Sequence, residues 1–162
     1  MSEGLKRTLY ERFLHYAHLI EQRFAAESNE FTSLAQLHGI TSIPSNLTSV
    51  HVIDCIGNNE PINNTSIAEK MNLSKASISK ISNKLLQEGF IKRRQMVDNK
   101  KEVYFTLSPE GKKIFEVHAA MHEVLEERFI AVLHSLSESE IQGALKFIDV
   151  MIENQDMGKG ES

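Results

Sequence analysis

Residues 63–107 read NNTSIAEKMNLSKASISKISNKLLQEGFIKRRQMVDNKKEVYFTL, and this stretch decides the fold. We predict a short helix from Thr65 to Met71, capped by Asn63 or Asn64, because asparagine side chains accept the unpaired N–H groups of a first helical turn. The Asn72-Leu73 pair that follows predicts a turn. The stretch therefore begins with a helix and a turn, as a helix-turn-helix does.

A second helix and a hairpin complete the stretch. The helix is predicted to start after the N-cap Ser74 and to run to about Gln87, and Gly89 ends it at a position that favours positive φ. Strands are then predicted from Phe90 to Met96 and from Lys101 to Leu107, joined by a polar tip. Two helices followed by such a hairpin predict a winged helix-turn-helix.

Two sets of apolar residues predict the buried faces of this unit. One set falls within a narrow sector of the second helix at 100° per residue, and the other alternates with polar residues along the last strand. The sets are Ile78, Ile81 and Leu85 in the helix, and Val103, Phe105 and Leu107 in the strand.

The opposite face of the second helix is small, polar and cationic. Such a face suits the major groove, where hydroxyls and amides reach base edges and lysines reach phosphates. Together with cations of the hairpin, the residues predicted to contact DNA are Lys75, Ala76, Ser77, Ser79, Lys80, Asn83, Lys84, Arg93, Arg94, Lys100 and Lys101.

The charge distribution supports a nucleic-acid partner. The whole chain has a formal net charge of −4, but residues 70–101 carry nine Lys/Arg against the acids Glu88 and Asp98. This region is therefore +7 and the rest of the chain is −11. Because phosphate neutralisation is local, the position of the cations matters more than the total charge.

Composition excludes several classes of protein. The 162 residues are 41% hydrophobic and 25% charged, as in an ordinary globular protein, and no apolar run is long enough to predict a membrane span. The single cysteine, Cys55, fits a reducing cytoplasm. The chain has no Gly-rich phosphate loop and no catalytic Ser/His/Asp pattern, so we expect no enzymatic activity.

Helices are predicted on both sides of the winged unit. A long helix covers residues 5–37, a shorter one covers 48–56, and a turn follows at 57–61. After the hairpin, Ser108-Pro109 starts a helix to about His134, and the capping box Ser137–Glu140 starts a last helix.

These helices carry more apolar surface than the winged unit can cover, which predicts a homodimer on a pseudo-palindromic operator. The expected fold class is mainly α with a small β-hairpin wing, plus N- and C-terminal dimerisation helices. The predicted divisions are an N-terminal dimerisation helix and loop (1–46), a DNA-binding domain (47–107), C-terminal dimerisation helices (108–154) and a flexible tail (155–162).

The order of these elements resembles the MarR family of bacterial transcriptional regulators. The resemblance covers about residues 5–154, and its most specific motifs are IAEKMNLSKASISKISNKLLQEGFI (67–91) and FTLSPEGKKIF (105–115). It implies a homodimer that represses, or less often activates, nearby promoters and responds to a small ligand, an oxidant or a metal.

The chain departs from this family at the tip of the wing. Many members carry an Asp-x-Arg pair there, with the arginine in the minor groove. Here Asn99 and Lys101 take those places, and Asp98 comes one residue early. Lys101 keeps a charge for phosphate but lacks the planar fork of arginine, so weaker minor-groove discrimination is expected.

Histidines point to the effector. His118 and His122 lie four residues apart on one helix, a spacing that lets two imidazoles bind one ion. With His51 they resemble the zinc-responsive MarR branch of the AdcR and ZitR types, which implies zinc as the cofactor. A carboxylate completes that site in the branch. We take Glu30 as the first candidate for this fourth ligand, and Glu27, His38 and Cys55 stay open beside it.

The sequence is also compatible with other effectors and with another class of protein. Nickel, cobalt and iron accept the same ligands as zinc. A small organic acid or phenolic compound is the alternative effector, and Cys55 would have to be an activated thiolate to sense peroxide. The alternative of another class is a helical protein-interaction module that does not bind DNA.

Overall fold

The computed structural model describes residues 2–155, apart from the side chains of Phe24, Ala25, Glu27, Asn99 and Lys100. The predicted tail therefore lies outside the described residues beyond Gln155. The elements, in chain order, are α1 Glu3–Leu37, α2 Leu47–Asn59, β1 Ile62–Asn63, α3 Asn64–Met71, α4 Lys75–Gln87, β2 Ile91–Met96, β3 Asn99–Leu107, α5 Pro109–Leu133 and α6 Glu138–Glu153. The fold is mostly helical with one small sheet, as predicted. No described helix combines the length and the apolar character that crossing a membrane requires.

The sheet has one more strand than the sequence predicted. Its order is β1-β3-β2, with both pairs antiparallel. Ile62 of β1 pairs with Phe105, and Ile91 of β2 pairs with Leu107. Because β1 has only two residues, it carries no periodicity that a sequence reading can detect.

Side-chain caps explain where the helices of the winged unit begin. Asn63 Oδ1 accepts from the backbone N–H of Ser66 at 2.9 Å, so Asn63 is the cap and Asn64 is the first helical residue. The predicted cap Ser74 accepts from the Ser77 N–H at 3.1 Å. Between these helices Asn72 has φ 53°, a left-handed conformation that asparagine tolerates better than most residues.

The core lies under α2, α3, α4 and the sheet. Phe105 and Leu107 are buried as predicted, and so are Ile78 and Leu85, whereas Ile81 is half-buried. The prediction that Val103 faces the core is wrong, because its side chain is 41% exposed. β1 pairs only with residues 104 and 105 of β3, so Val103 lies beyond the covered part of the strand.

The predicted turn at 57–61 is wrong in its first three residues, which belong to α2. The side-chain amides of Asn58 and Asn59 fold back on this last turn and donate to backbone carbonyls four residues earlier, at 3.0 and 2.8 Å. Gly57 is needed for packing, since a Cβ there would lie 2.5 Å from the ring of Phe115. The predicted hairpin tip at 97–100 is also shorter, because β3 already begins at Asn99.

The chain divides into two compact units, Met1–Met121 and His122–Ser162. The boundary falls inside the continuous helix α5, whereas the sequence placed divisions at 46/47 and 107/108. Within the first unit, Phe31 and Ala35 of α1 are buried, and so are Ile114 and Val117 of α5.

Each unit carries large apolar side chains that the single chain leaves exposed. In α1 this set lies in the first 17 residues of the helix. Leu37, the last residue of the helix, is 83% exposed. The exposed side chains include Leu5, Leu9, Tyr10, Phe13, Leu14, Tyr16 and Leu19 in the first unit, and Val124, Phe129, Ile130, Val132, Leu136, Leu145, Ile148, Val150, Met151 and Ile152 in the second.

We predict that Gly111→Ala destabilises the fold by about 1–3 kcal/mol, the usual cost of overpacking. A Cβ at Gly111 would lie 2.0 Å from the backbone oxygen of Phe90, which cannot rotate away. The measurement is the free energy of unfolding in urea, followed by circular dichroism.

Gly143→Ala is the matched control, because no atom lies within 4 Å of a Cβ at this other helical glycine. It should leave stability unchanged or raise it by up to about 1 kcal/mol through helix propensity. Equal stability of the two variants would contradict the close approach at Gly111.

Candidate functional site

The outer face of α4 is open to solvent, as the predicted DNA contact requires. Lys75, Ala76, Ser77, Lys80 and Asn83 are exposed. Ser79, also predicted to contact DNA, is half-buried. The helix therefore presents hydroxyl, amide and ammonium groups on the side opposite the buried residues Ile78 and Leu85.

A buried hydroxyl joins α4 to α3. Ser82 is fully buried, and its Oγ donates to Oδ1 of Asn64 at 2.9 Å. The Asn64 amide nitrogen in turn lies 3.5 Å from Ser79 Oγ. This pair was not predicted from the sequence, although Ser82 is four residues after Ile78 and therefore on the buried face. The bond fixes the orientation of α4 on α3.

Lys84, which was predicted to contact DNA, makes contacts within the chain. Its Nζ donates to Ser45 Oγ at 2.8 Å and lies 3.9 Å from a carboxylate oxygen of Glu88. The ammonium group is thus held by the loop before α2, whereas the Lys75 and Lys80 side chains extend from the exposed face of α4.

The cations of the wing fall on two faces of the sheet. Arg93 pairs with Phe105 and Arg94 with Tyr104, and successive side chains on a strand point to opposite faces. Arg94 lines an open pocket that also includes Glu60 and Lys112. Arg93, Arg94 and Lys101 are all exposed, and the Lys100 side chain lies outside the described residues.

Three histidines of α2 and α5 come together. The nitrogen atoms that His51, His118 and His122 can offer to a metal ion all lie within 4.8 Å of one another. His118 and His122 are one turn apart on α5, and His51 comes from α2. His118 is buried, His51 is half-buried and His122 is exposed. The ring centroids of His51 and His118 are 5.3 Å apart.

This donor set fits a zinc ion. Zn–N bonds of about 2.0–2.1 Å in a tetrahedral site place ligating nitrogens roughly 3.4 Å apart. The three nitrogens lie within 4.8 Å of one another, so they would have to move closer by up to about 1.4 Å to bind one zinc ion. Imidazole is also a common ligand of copper, nickel and iron, so the donor chemistry alone does not select the metal.

The candidates for a fourth ligand are not in this cluster among the described residues. Glu30 is exposed, and His38 is also exposed, with its Nδ1 2.9 Å from the backbone oxygen of Leu34. The Glu27 side chain lies outside the described residues. Cys55 is half-buried outside the cluster as well.

The Cys55 thiol does not have the properties of a peroxide sensor. Burial raises its pKa, and the negative charge of Asp54 raises the pKa further, while Lys70 opposes both effects. A raised pKa favours the thiol over the nucleophilic thiolate.

Asp54 is a site residue whose role the sequence analysis missed. Its Oδ1 lies 3.3 Å from Nδ1 of His118, across 64 residues of chain. The edge of the Phe31 ring system packs on the same imidazole, with ring centroids 6.3 Å apart. The available signal was the position of Asp54 one helical turn after His51, on the same side of α2.

Two short helices with an exposed cationic face, followed by the β2–β3 hairpin of a three-stranded sheet, define a DNA-binding winged helix-turn-helix protein. Residues 46–103 match the sequence profile of the MarR family. The HTH-type transcriptional regulator PchR of Bacillus subtilis (strain 168) is 46% identical over 149 residues, 92% of this chain and 88% of the relative. The uncharacterized HTH-type transcriptional regulator YhjH of the same organism is 47% identical over 147 residues, 86% of this chain and 82% of the relative. This chain belongs to the MarR family of transcriptional regulators, which bind DNA and are not enzymes.

Solved structures share the fold at low sequence identity. Streptococcus pneumoniae FabT, in complex with DNA, has a TM-score of 0.61 at 20% identity, covering 87% of this chain and 97% of that one. ZitR of Lactococcus lactis, a zinc-responsive MarR family member, has a TM-score of 0.60 at 20% identity. The match covers 86% of this chain and 98% of ZitR.

We predict that Asn64→Ala lowers the free energy of unfolding by about 1–3 kcal/mol, because the buried Ser82 hydroxyl loses its acceptor. The double variant Asn64→Ala/Ser82→Ala should be more stable than the single variant, since it leaves no unpaired hydroxyl. Urea unfolding of both variants measures the difference. A double variant less stable than Asn64→Ala would show that the bond does not hold α4 on α3.

Proposed function

We propose that this chain is a homodimeric, sequence-specific repressor of the cytoplasm whose affinity for a pseudo-palindromic operator is set by bound zinc. The observation that carries the zinc part is the cluster of His51, His118 and His122. The observation that carries the DNA part is the exposed, cationic face of α4 in a region with a net charge of +7.

In this proposal α4 lies in the major groove. Lys80 and Lys75 contact phosphates, while Ser77 and Asn83 reach base edges. Arg93 and Lys101 extend the cationic surface along the wing, where the sugar-phosphate backbone of the DNA passes. The Lys84 contact with Ser45 would have to be exchanged for a phosphate, so Lys84 contributes less than Lys80.

Exposed apolar side chains support the dimer. Tyr10 and Tyr16 of α1 are more than half exposed, as are Leu145 and Ile152 of α6. Exposure of so many large apolar side chains is unusual for a monomer and marks an interaction surface. A second copy of the chain covers these faces by two-fold symmetry and brings a second α4 to the next half-site, about 34–36 Å away.

Zinc would act by joining two helices that the chain places far apart in sequence. His51 belongs to α2, which packs inside the DNA-binding head (residues 47–107). His118 and His122 belong to α5. A metal bound by all three stabilises one arrangement of α2 and α5 and so shifts the population of dimers toward it. The zinc-responsive ZitR shares the fold, and the donor set of this chain supports the same class of effector here.

A small organic acid is the second candidate effector, because the first unit contains a pocket suited to one. The pocket has a volume of about 300 Å³. It is lined by the apolar Ile40 and Val117, and Lys113 supplies a cation that can pair with a carboxylate. Glu116 on the same wall repels an anionic ligand, so this pocket supports an organic acid less well than the histidine cluster supports zinc.

Replacing Lys80 tests the DNA surface. Lys80→Ala should reduce the slope of log K against log salt concentration by about 1, because one phosphate contact is lost. The measurement is fluorescence anisotropy with a labelled operator or promoter fragment at several salt concentrations. Lys146→Ala, which removes a lysine of α6 outside the head, is the control and should keep the slope. Equal slopes for the unaltered chain, Lys80→Ala and Lys146→Ala would show that Lys80 does not contact a phosphate.

Replacing His122 tests the metal cluster. The unaltered chain should bind zinc near one ion per chain in competition with a chromophoric chelator, and His122→Ala should lose this binding. The matched control His134→Ala removes an exposed histidine just beyond α5 and should retain it. Zinc binding that survives in His122→Ala would exclude the cluster as the site.

The same DNA-binding assay tests whether zinc regulates operator affinity. Operator affinity should change when free zinc is buffered across the binding range, and this response should disappear in His122→Ala. An unchanged operator affinity would leave a DNA-binding protein that zinc does not regulate.

A further inference from the structure

The side chain of Asp54 lies behind the histidine cluster. Asp54 is on α2, one helical turn after His51, and its Oδ1 is 3.3 Å from Nδ1 of the buried His118. The second carboxylate oxygen, Oδ2, accepts from the Asn58 side-chain amide at 3.3 Å. Asn58 also donates to the Asp54 backbone oxygen at 3.0 Å. The chain Asn58–Asp54–His118 therefore holds the imidazole from the side of α2.

This contact decides which nitrogen of His118 carries the lone pair. An ionised carboxylate only accepts hydrogen bonds, so the Nδ1 of His118 must be the donor. A neutral imidazole has one N–H and one lone pair, which then belongs to Nε2. A metal ligand needs that lone pair, and histidine ligands commonly donate their other N–H to a carboxylate.

We propose that Asp54 is a positioning residue of the zinc site: it holds His118 in the tautomer and ring orientation in which Nε2 binds the metal. This inference rests on the proposed zinc function. Asp54 acts through His118, since it is not part of the cluster of residues at ligand distance in the described chain. Because Asp54 and His51 share α2, the same helix supplies one ligand directly and aligns a second.

Packing supports a specific orientation of the imidazole. The His118 side chain is 2% exposed, and the Phe31 ring meets it edge-on at an interplanar angle of 70°. Phe31 constrains the imidazole plane but offers no hydrogen-bond acceptor. Asp54 supplies the hydrogen-bonding atom that distinguishes the two nitrogens. Its loss would therefore change the tautomer even where the ring stays in place.

The test compares Asp54→Ala with the unaltered full-length chain. Zinc affinity, measured by competition with a chromophoric chelator, should fall about 10- to 100-fold in the variant, as is typical when the hydrogen-bond partner of a ligand is removed. The stoichiometry should stay near one ion per chain, because the three histidines remain. The visible absorption of bound Co²⁺ should shift, since His118 no longer binds in the same orientation.

Three further variants separate positioning from a merely structural role. Asn58→Ala removes the support of Asp54 without touching His118, and should weaken zinc binding by a smaller factor than Asp54→Ala does. Asp54→Glu restores an acceptor and should recover part of the affinity. Asp149→Ala removes an exposed aspartate of α6 and should change neither the affinity nor the Co²⁺ spectrum.

The outcomes also distinguish this inference from the proposed function. If the unaltered chain binds neither zinc nor cobalt, both are overturned. If the unaltered chain binds metal and Asp54→Ala binds it with the same affinity and Co²⁺ spectrum, the inference alone is overturned. Loss of stability in the metal-free variant with unchanged zinc affinity also overturns it, because Asp54 would then serve only to pair a buried histidine.

Discussion

The start of α5 approaches the end of α4 so closely that a side chain at position 111 would collide with the backbone of Phe90. Ser108 closes this junction, since its N–H donates to the Phe90 oxygen at 3.0 Å and its hydroxyl donates to the Gly89 oxygen at 2.6 Å. The same hydroxyl accepts from the Gly111 N–H at 3.1 Å and so caps the helix. These contacts hold the start of α5 against the segment between α4 and β2, and the position of His118 within the first unit follows from it.

Helix α2 connects the two candidate activities. Its Val52, Ile53 and Ile56 are fully buried in the head, where they support the helices that carry the DNA surface. Its other side carries His51 and Asp54, which meet His118 of α5. Helix α2 thus contacts the core with one side and the histidine cluster with the other. This placement explains how metal binding and DNA binding would be linked without contact between metal and DNA.

Local chemistry explains which features could be read in advance and which could not. The caps Asn63 and Ser74 were recognisable because capping acts over three residues, and Gly89 has the expected positive φ of 82°. The turn at 57–61 was predicted partly from Gly57, because glycine is typical of turns. In the structure Gly57 lies within α2 and leaves room for the Phe115 ring. Val103 follows the alternation of a strand, yet the short β1 leaves it uncovered.

The sequence by itself determined the helices, their caps, and the pair His118 and His122 one turn apart. It also determined that residues 70–101 have a net charge of +7 and the rest of the chain a net charge of −11. These features depend on residues within a few positions of one another, where helix and strand geometry dictates the relation. The resemblance to a family added His51. Only the tertiary structure decided that Asp54 meets His118, that Lys84 meets Ser45 and that β1 joins β3. Those contacts join residues about 40 or more positions apart, and their proximity depends on how whole elements pack, for which no local pattern exists.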